Sequence, residues 1–195
     1  MILAEAEKVK PIPFLKGERI DLVIPRSEWV DKRARWVNNP KIRIYLRGPF
    51  PSTKDQMKQR YERVREGDLG GWVGFIVYHK VDNKPIGEVG FSRINWFNGW
   101  ANAYANIGEM EYWNQNYATE AVELLLKYAF EELNLNKISG SVALPNKGSW
   151  SVAEKLNFRF EGSSKEDSYR NGEYLNVKHY CYLQKDWLNR KNEKV

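Results

Sequence analysis

Cysteine is nearly missing from this chain: Cys181 stands alone, so no internal disulfide can form and a reducing cytoplasm is the expected compartment. Histidine is almost as scarce, with only His79 and His179. The two lie far apart in sequence, and with one cysteine they give no metal-ligand spacing, so no metal is expected and all three residues are read as structural. No run of about 18 apolar residues is present, and residues 1–10 lack the apolar core of a signal peptide. No membrane association is expected. Internal repeats and low-complexity tracts are absent too.

Aromatic residues, by contrast, are plentiful. Eight Trp, eleven Tyr and eight Phe sit in 195 residues of which 42% are hydrophobic. That is enough for one well-packed domain and little for two. The net charge of +6 favours anionic ligands in a general way. Such an excess is ordinary for a mixed solvated surface, and a nucleic-acid partner is not expected from it.

Residues 1–13, ending in Pro-Ile-Pro, read as a tail leading into a domain at residues 14–188, with 189–195 as a second tail. Residues 19–24 have strand composition. Ser27 is placed to cap a helix that Asn38-Asn39-Pro40 ends, and Thr53 and Gln56 have capping-box spacing before a stripe of Met57, Tyr61 and Val64 that Gly67 stops. Pro49-Phe-Pro51 reads as a rigid spacer between the two. Strands are then expected at 72–80 and 85–94, joined by a turn at 81–84, and at 101–109 after the turn dipeptide Asn98-Gly99.

Residues 104–135 form the segment on which function turns. A strand there delivers a short polar loop to a helix marked by Val122, Leu125, Leu126, Ala129, Phe130 and Leu133. Unsatisfied amides and the dipole at such a helix start suit a phosphate group. A further strand at 137–144, parallel to the previous one, completes a β-α-β unit with a right-handed crossover. A short helix capped by Ser149, a strand at 158–161, a hairpin turn at 170–173, a final strand at 174–183 and a charged tail from Asp186, with Trp187 and Leu188 as candidate anchors, follow. The expected order is β-α-α-β-β-β-α-β-α-β-β. It describes an α/β fold with a mixed, mostly antiparallel central sheet, one β-α-β crossover and helices on both faces.

On these elements lie the fragments Phe14-Leu-Lys-Gly-Glu-Arg19, Lys84-Pro-Ile-Gly87, residues 107–135, Asn146-Lys-Gly-Ser149, Glu154-Lys-Leu-Asn-Phe158 and Asn171-Gly-Glu-Tyr174. In that order they resemble the GNAT superfamily of N-acetyltransferases, in its ribosomal-protein-type branch. The resemblance implies acetyl transfer from acetyl-CoA directly to a primary amine: a protein N-terminus, a polyamine or another small amine. It places the family's pyrophosphate loop, Gln/Arg-x-x-Gly-x-Gly/Ala, on Trp113, Asn114, Gln115, Asn116, Tyr117 and Ala118, with Thr119 following. Trp113 stands for the usual Gln or Arg and Asn116 for the central Gly. Asparagine tolerates positive φ and is a leading N-cap, so Asn116 is expected to keep the turn and start the helix.

The resemblance further implies that Asn106, Ile107 and Gly108 run beside the pantetheine arm where two strands splay, that Asn146 contacts that arm, and that Ser149 protonates the leaving thiolate. Glu109 and Glu111 are the candidate bases, because an alkyl ammonium must lose a proton before it attacks. Some relatives place a Glu near Asn102, which here cannot act as a base. The other reading is a catalytically inactive module of the same fold that binds the ribosome, RNA or another anionic partner. Trp-rich surfaces leave a homodimer open.

Overall fold

The computed structural model describes residues 10–46, 51, 53–65 and 71–192, residues 60–65 by backbone alone. The side chains of the stripe positions Tyr61 and Val64, the stop at Gly67 and most of the Pro49–Pro51 spacer lie outside what is described. Among the described residues, eight strands form one sheet in the order β1-β2-β3-β4-β5-β6-β8-β7. They are β1 (Pro13–Lys16), β2 (Ile20–Val23), β3 (Trp72–His79), β4 (Lys84–Asn95), β5 (Trp100–Ile107), β6 (Lys137–Ala143), β7 (Arg159–Arg170) and β8 (Glu173–Leu183). The helices are α1 (Val30–Asn38), α2 (Pro40–Arg43), α3 (Lys54–Arg65), α4 (Tyr117–Lys127, continued by a π turn at Tyr128–Glu132), α5 (Lys147–Lys155) and α6 (Gln184–Asn192). All strand pairs are antiparallel except β5 with β6, which α4 connects.

The alternation of β5 sorts the two faces. Ala101 and Ile107 are buried with Val89, Phe91, Leu125, Leu126 and Ile138, and Ala103 and Ala105 pack against them, so this face carries α4. Val152 and Leu156 bring α5 to the same side. Asn102, Tyr104 and Asn106 fall on the opposite face. There Arg33 of α1 donates to buried Glu88 of β4 and, at 2.9 Å, to Met57 of α3. A buried ion pair broken on one side leaves an uncompensated charge, at about 3–5 kcal/mol. Glu88→Ala is therefore expected to lower the midpoint of thermal unfolding by roughly 10 °C, which scanning calorimetry would read.

Four sequence expectations need correction. Strand β1, where no strand is expected from the sequence, pairs with β2, and its Phe14 stacks on Phe75 at 5.2 Å. Ser27 begins a 3-10 turn without a side-chain cap. Strand β7 runs to Arg170 rather than ending near 161, its polar composition carried by long pairing with β8. The expected tail from Asp186 is instead helix α6. Trp187 is buried against Phe130 and Tyr182, its indole N–H donates to Glu131 at 2.9 Å, and Arg190 pairs with Glu123 at 2.5 Å. One aromatic anchor outweighed the charge of the segment. The Thr53–Gln56 capping box forms in both directions, at 2.9 and 3.2 Å.

Candidate active site

The parallel strands β5 and β6 pair only at Trp100↔Lys137, Ala101↔Ile138 and Asn102↔Ser139. Beyond that point β5 stays with β4 as far as Ile107↔Gly87, while β6 stays with β8 as far as Ala143↔Val177. The sheet forks. Residues 103–107 thus lack a β6 partner along one edge, which leaves backbone donors and acceptors for an extended ligand. Asn106, on the face away from α4, keeps a buried side-chain N–H group without a partner among the described residues. At the end of β5 the chain bulges, with Gly108 N and Glu109 N both donating to Ile86 O, at 2.8 and 3.1 Å. A Cβ on Gly108 would lie 2.2 Å from the Trp36 ring, so only glycine lets α1 approach this closely.

The loop that follows has the backbone its sequence allowed. Asn114 and Asn116 adopt φ of 60° and 65°, and Asn116 occupies the N-cap position of α4 in the left-handed region. Its side chain makes no cap hydrogen bond; Oδ1 accepts instead from Lys155 Nζ at 2.7 Å. The first amide of α4 to meet a helical carbonyl is that of Glu120, 3.0 Å from Asn116 O. The amides of Tyr117, Ala118 and Thr119 therefore stand at the open end of the helix dipole. Trp113, in place of Gln or Arg, turns its indole N–H back to Ile107 O at 2.7 Å and ties the loop to the end of β5. Gln115 does the same within the loop, donating to Glu111 O at 2.6 Å.

Backbone amides at a left-handed turn beside a forked parallel pair make a cradle for a phosphate-bearing, extended molecule. The GNAT acetyltransferase domain model matches residues 19–159. The chain belongs to the GNAT acetyltransferases. An uncharacterized N-acetyltransferase, p20, of Bacillus licheniformis is 27% identical over 175 residues, covering 89% of this chain and 97% of that one. The spermidine N(1)-acetyltransferase of Escherichia coli K12 is 33% identical over 134 residues, 69% of this chain and 63% of that one. Among solved structures, spermidine N-acetyltransferase from Vibrio cholerae in complex with CoA and spermine superposes with a TM-score of 0.79 at 26% identity, covering 88% of this chain and 99% of that one. The protein is an acetyl-CoA-dependent N-acetyltransferase.

Within this GNAT site, three residues that sequence reasoning left aside hold the loop in place. Arg19 enters from the start of β2: its backbone N–H and Nε reach Glu120 at 2.8 and 3.0 Å, Nη1 donates to Gln115 O at 3.0 Å, and the guanidinium lies 4.3 Å from the Tyr117 ring centroid. His79, buried in β3, sits 2.9 Å from the Tyr117 hydroxyl. Its Nδ1 lies 3.1 Å from both the backbone N–H and the carboxylate Oδ2 of Asp82, which fixes the ring against Tyr117. Lys155 closes the loop from α5. All these contacts join residues distant in sequence; Arg19 and Lys155 lie within fragments that carry the family resemblance, and nothing in the sequence signals His79.

The helix cap at α5 is Asn146, whose Oδ1 accepts from Ser149 N at 3.2 Å. That corrects the expectation of Ser149 as cap, and the Ser149 hydroxyl has no hydrogen bond among the described residues. The two glutamates part company. A cleft of about 360 Å³ at the end of β5 is lined by Lys32, Arg35, Trp36, Asn39, Gly108, Glu109, Met110 and Glu111. One Glu109 oxygen is held by Lys32 and by the Trp36 indole, both at 3.2 Å, and the other has no partner among the described residues. Glu111 is more than half exposed and pairs with Lys84 at 3.2 Å. Its own backbone N–H, and then Lys84, hold its carboxyl below the usual carboxylate range. Cys181 is buried in β8, and burial pushes its thiol up, which disfavours a thiolate nucleophile.

Proposed function

We propose that acetyl passes directly from acetyl-CoA, laid in the β5/β6 fork, to an amine seated in the cleft beside Glu109. No covalent enzyme intermediate forms. The fork carries this reading, since it offers an unpaired strand edge leading from the phosphate loop to the cleft. Amides at residues 114–119 hold the diphosphate, with Lys155 adding positive charge and the Arg19–Glu120 pair bracing the loop, and Asn146 together with the edge of residues 106–108 takes the pantetheine arm.

The free Glu109 oxygen accepts a proton from the ammonium. The neutral amine nitrogen bonds to the thioester carbonyl carbon while a backbone N–H of the splayed strand stabilises the developing oxyanion. Collapse breaks the C–S bond. The second proton lost by the nitrogen ends on sulfur, relayed through the Ser149 hydroxyl. One amide, one free thiol and one proton leave the site, so the count closes.

Acceptors in the two spermidine-acetylating relatives are polyamines, which supports an amine here without fixing which one. The test is release of free thiol, followed by a disulfide reagent, with acetyl-CoA and a panel of primary amines. Amine-dependent release with a mass gain of one acetyl group on the amine is the expected result. Thiol release that does not depend on amine, or that leaves a stable acetyl group on the protein, contradicts direct transfer.

A further inference from the structure

The cleft is fenced by cations whose partners can be counted. Lys32 is matched by Glu109, Lys84 by Glu111, Asp31 by Lys54 at 2.9 Å, and Arg33 by Glu88. Once these pairs are set aside, Arg35 remains on the cleft wall, and Lys41 and Arg43 remain on α2 directly after the lining residue Asn39. Among the described residues none of the three has an ion-pair partner. Both carboxylates in the lining are already neutralised, one of them by a lysine that also lines the cleft. Among the described residues this leaves the cleft wall one unmatched positive charge, that of Arg35.

Such a wall repels a second ammonium on the acceptor and attracts an anionic group. Taken with the amine seat proposed above, on which this inference rests, we infer that the preferred acceptor is a primary amine carrying a carboxylate or phosphate close to it, with Arg35 as the residue that receives the anion. A cleft of about 360 Å³ holds one terminal residue or a small amino acid, not a long folded surface. Arginine suits the task because its planar fork binds a carboxylate or phosphate with two parallel hydrogen bonds. The same chemistry can come from a free amino acid or from the N-terminal residue of an acidic peptide.

The experiment compares kcat/KM, on the full chain, for glycine, phosphoethanolamine, the peptide Glu-Asp-Asp, an uncharged-tail amine such as phenethylamine, and spermidine. Expected is a preference of at least about tenfold for an anion-bearing amine over spermidine. The peptide arm separates a terminal residue from a free amino acid. In Arg35→Glu that preference is expected to fall or reverse by a similar factor while thermal stabilisation by acetyl-CoA persists, which shows that the variant is folded and loaded. Spermidine as the best acceptor, or an unchanged preference in Arg35→Glu, overturns the inference and leaves acetyl transfer standing. No turnover of any amine together with no stabilisation by acetyl-CoA overturns both.

Discussion

Glu109→Gln is expected to lower kcat by about 10²- to 10⁴-fold, the range for loss of a positioned general base, with little change in stabilisation by acetyl-CoA. Glu111→Gln is expected to stay within about threefold of the parent, since an exposed carboxylate satisfied by its own amide and by Lys84 is a weak base that holds its charge. The contrast follows from place. Glu109 is partly buried, fixed through one oxygen by α1 and open at the other, whereas Glu111 points its charge at a lysine near solvent. Equal losses in the two variants would mean that the cleft is not where the amine reacts. Rapid-quench measurement of the chemical step separates either loss from slow product release.

The second large effect concerns Asn116. Its φ of 65° is tolerated by Asn and Gly but opposed by a β-branched side chain at a cost of about 1–3 kcal/mol. Asn116→Val is therefore expected to raise KM for acetyl-CoA by about tenfold or more, because the amides of residues 117–119 turn away from the diphosphate. Asn116→Gly should bind at least as well as the parent. Both variants lose the bond to Lys155, so the difference between them reports the backbone alone. Equal affinity in the two would show that side-chain contacts, not the left-handed turn, hold the phosphates.

The loop was legible because its information is local. Asn116 at a position that needs positive φ, followed by a helix with a clear apolar stripe, specifies its own conformation, whereas the left-handed Asn114 carries no such mark. The fork was implied only by resemblance, since it depends on where β6 leaves β5 and that is set by pairing with β8. His79 and Trp36 are hidden for the same reason: each acts on a partner 38 or more residues away in the chain, and nothing in its own neighbourhood marks it. Strand β7 and helix α6 were misread in the opposite way. Their polar composition argued for loop or tail, and partners far away in sequence, Val177 with its neighbours for β7 and Phe130 with Tyr182 for α6, overrode it. Glu109 and Glu111, two residues apart and alike by sequence, were separated only by the geometry of α1.

Backbone amide shifts on titration with acetyl-CoA test the central claim most directly. Uniformly nitrogen-labelled protein should show its largest perturbations at residues 114–119 and along 103–108, the loop and the free edge of the fork, with smaller ones at Asn146 and Ser149. Large shifts confined to other surfaces, or saturable binding that leaves residues 114–119 unmoved, would contradict it.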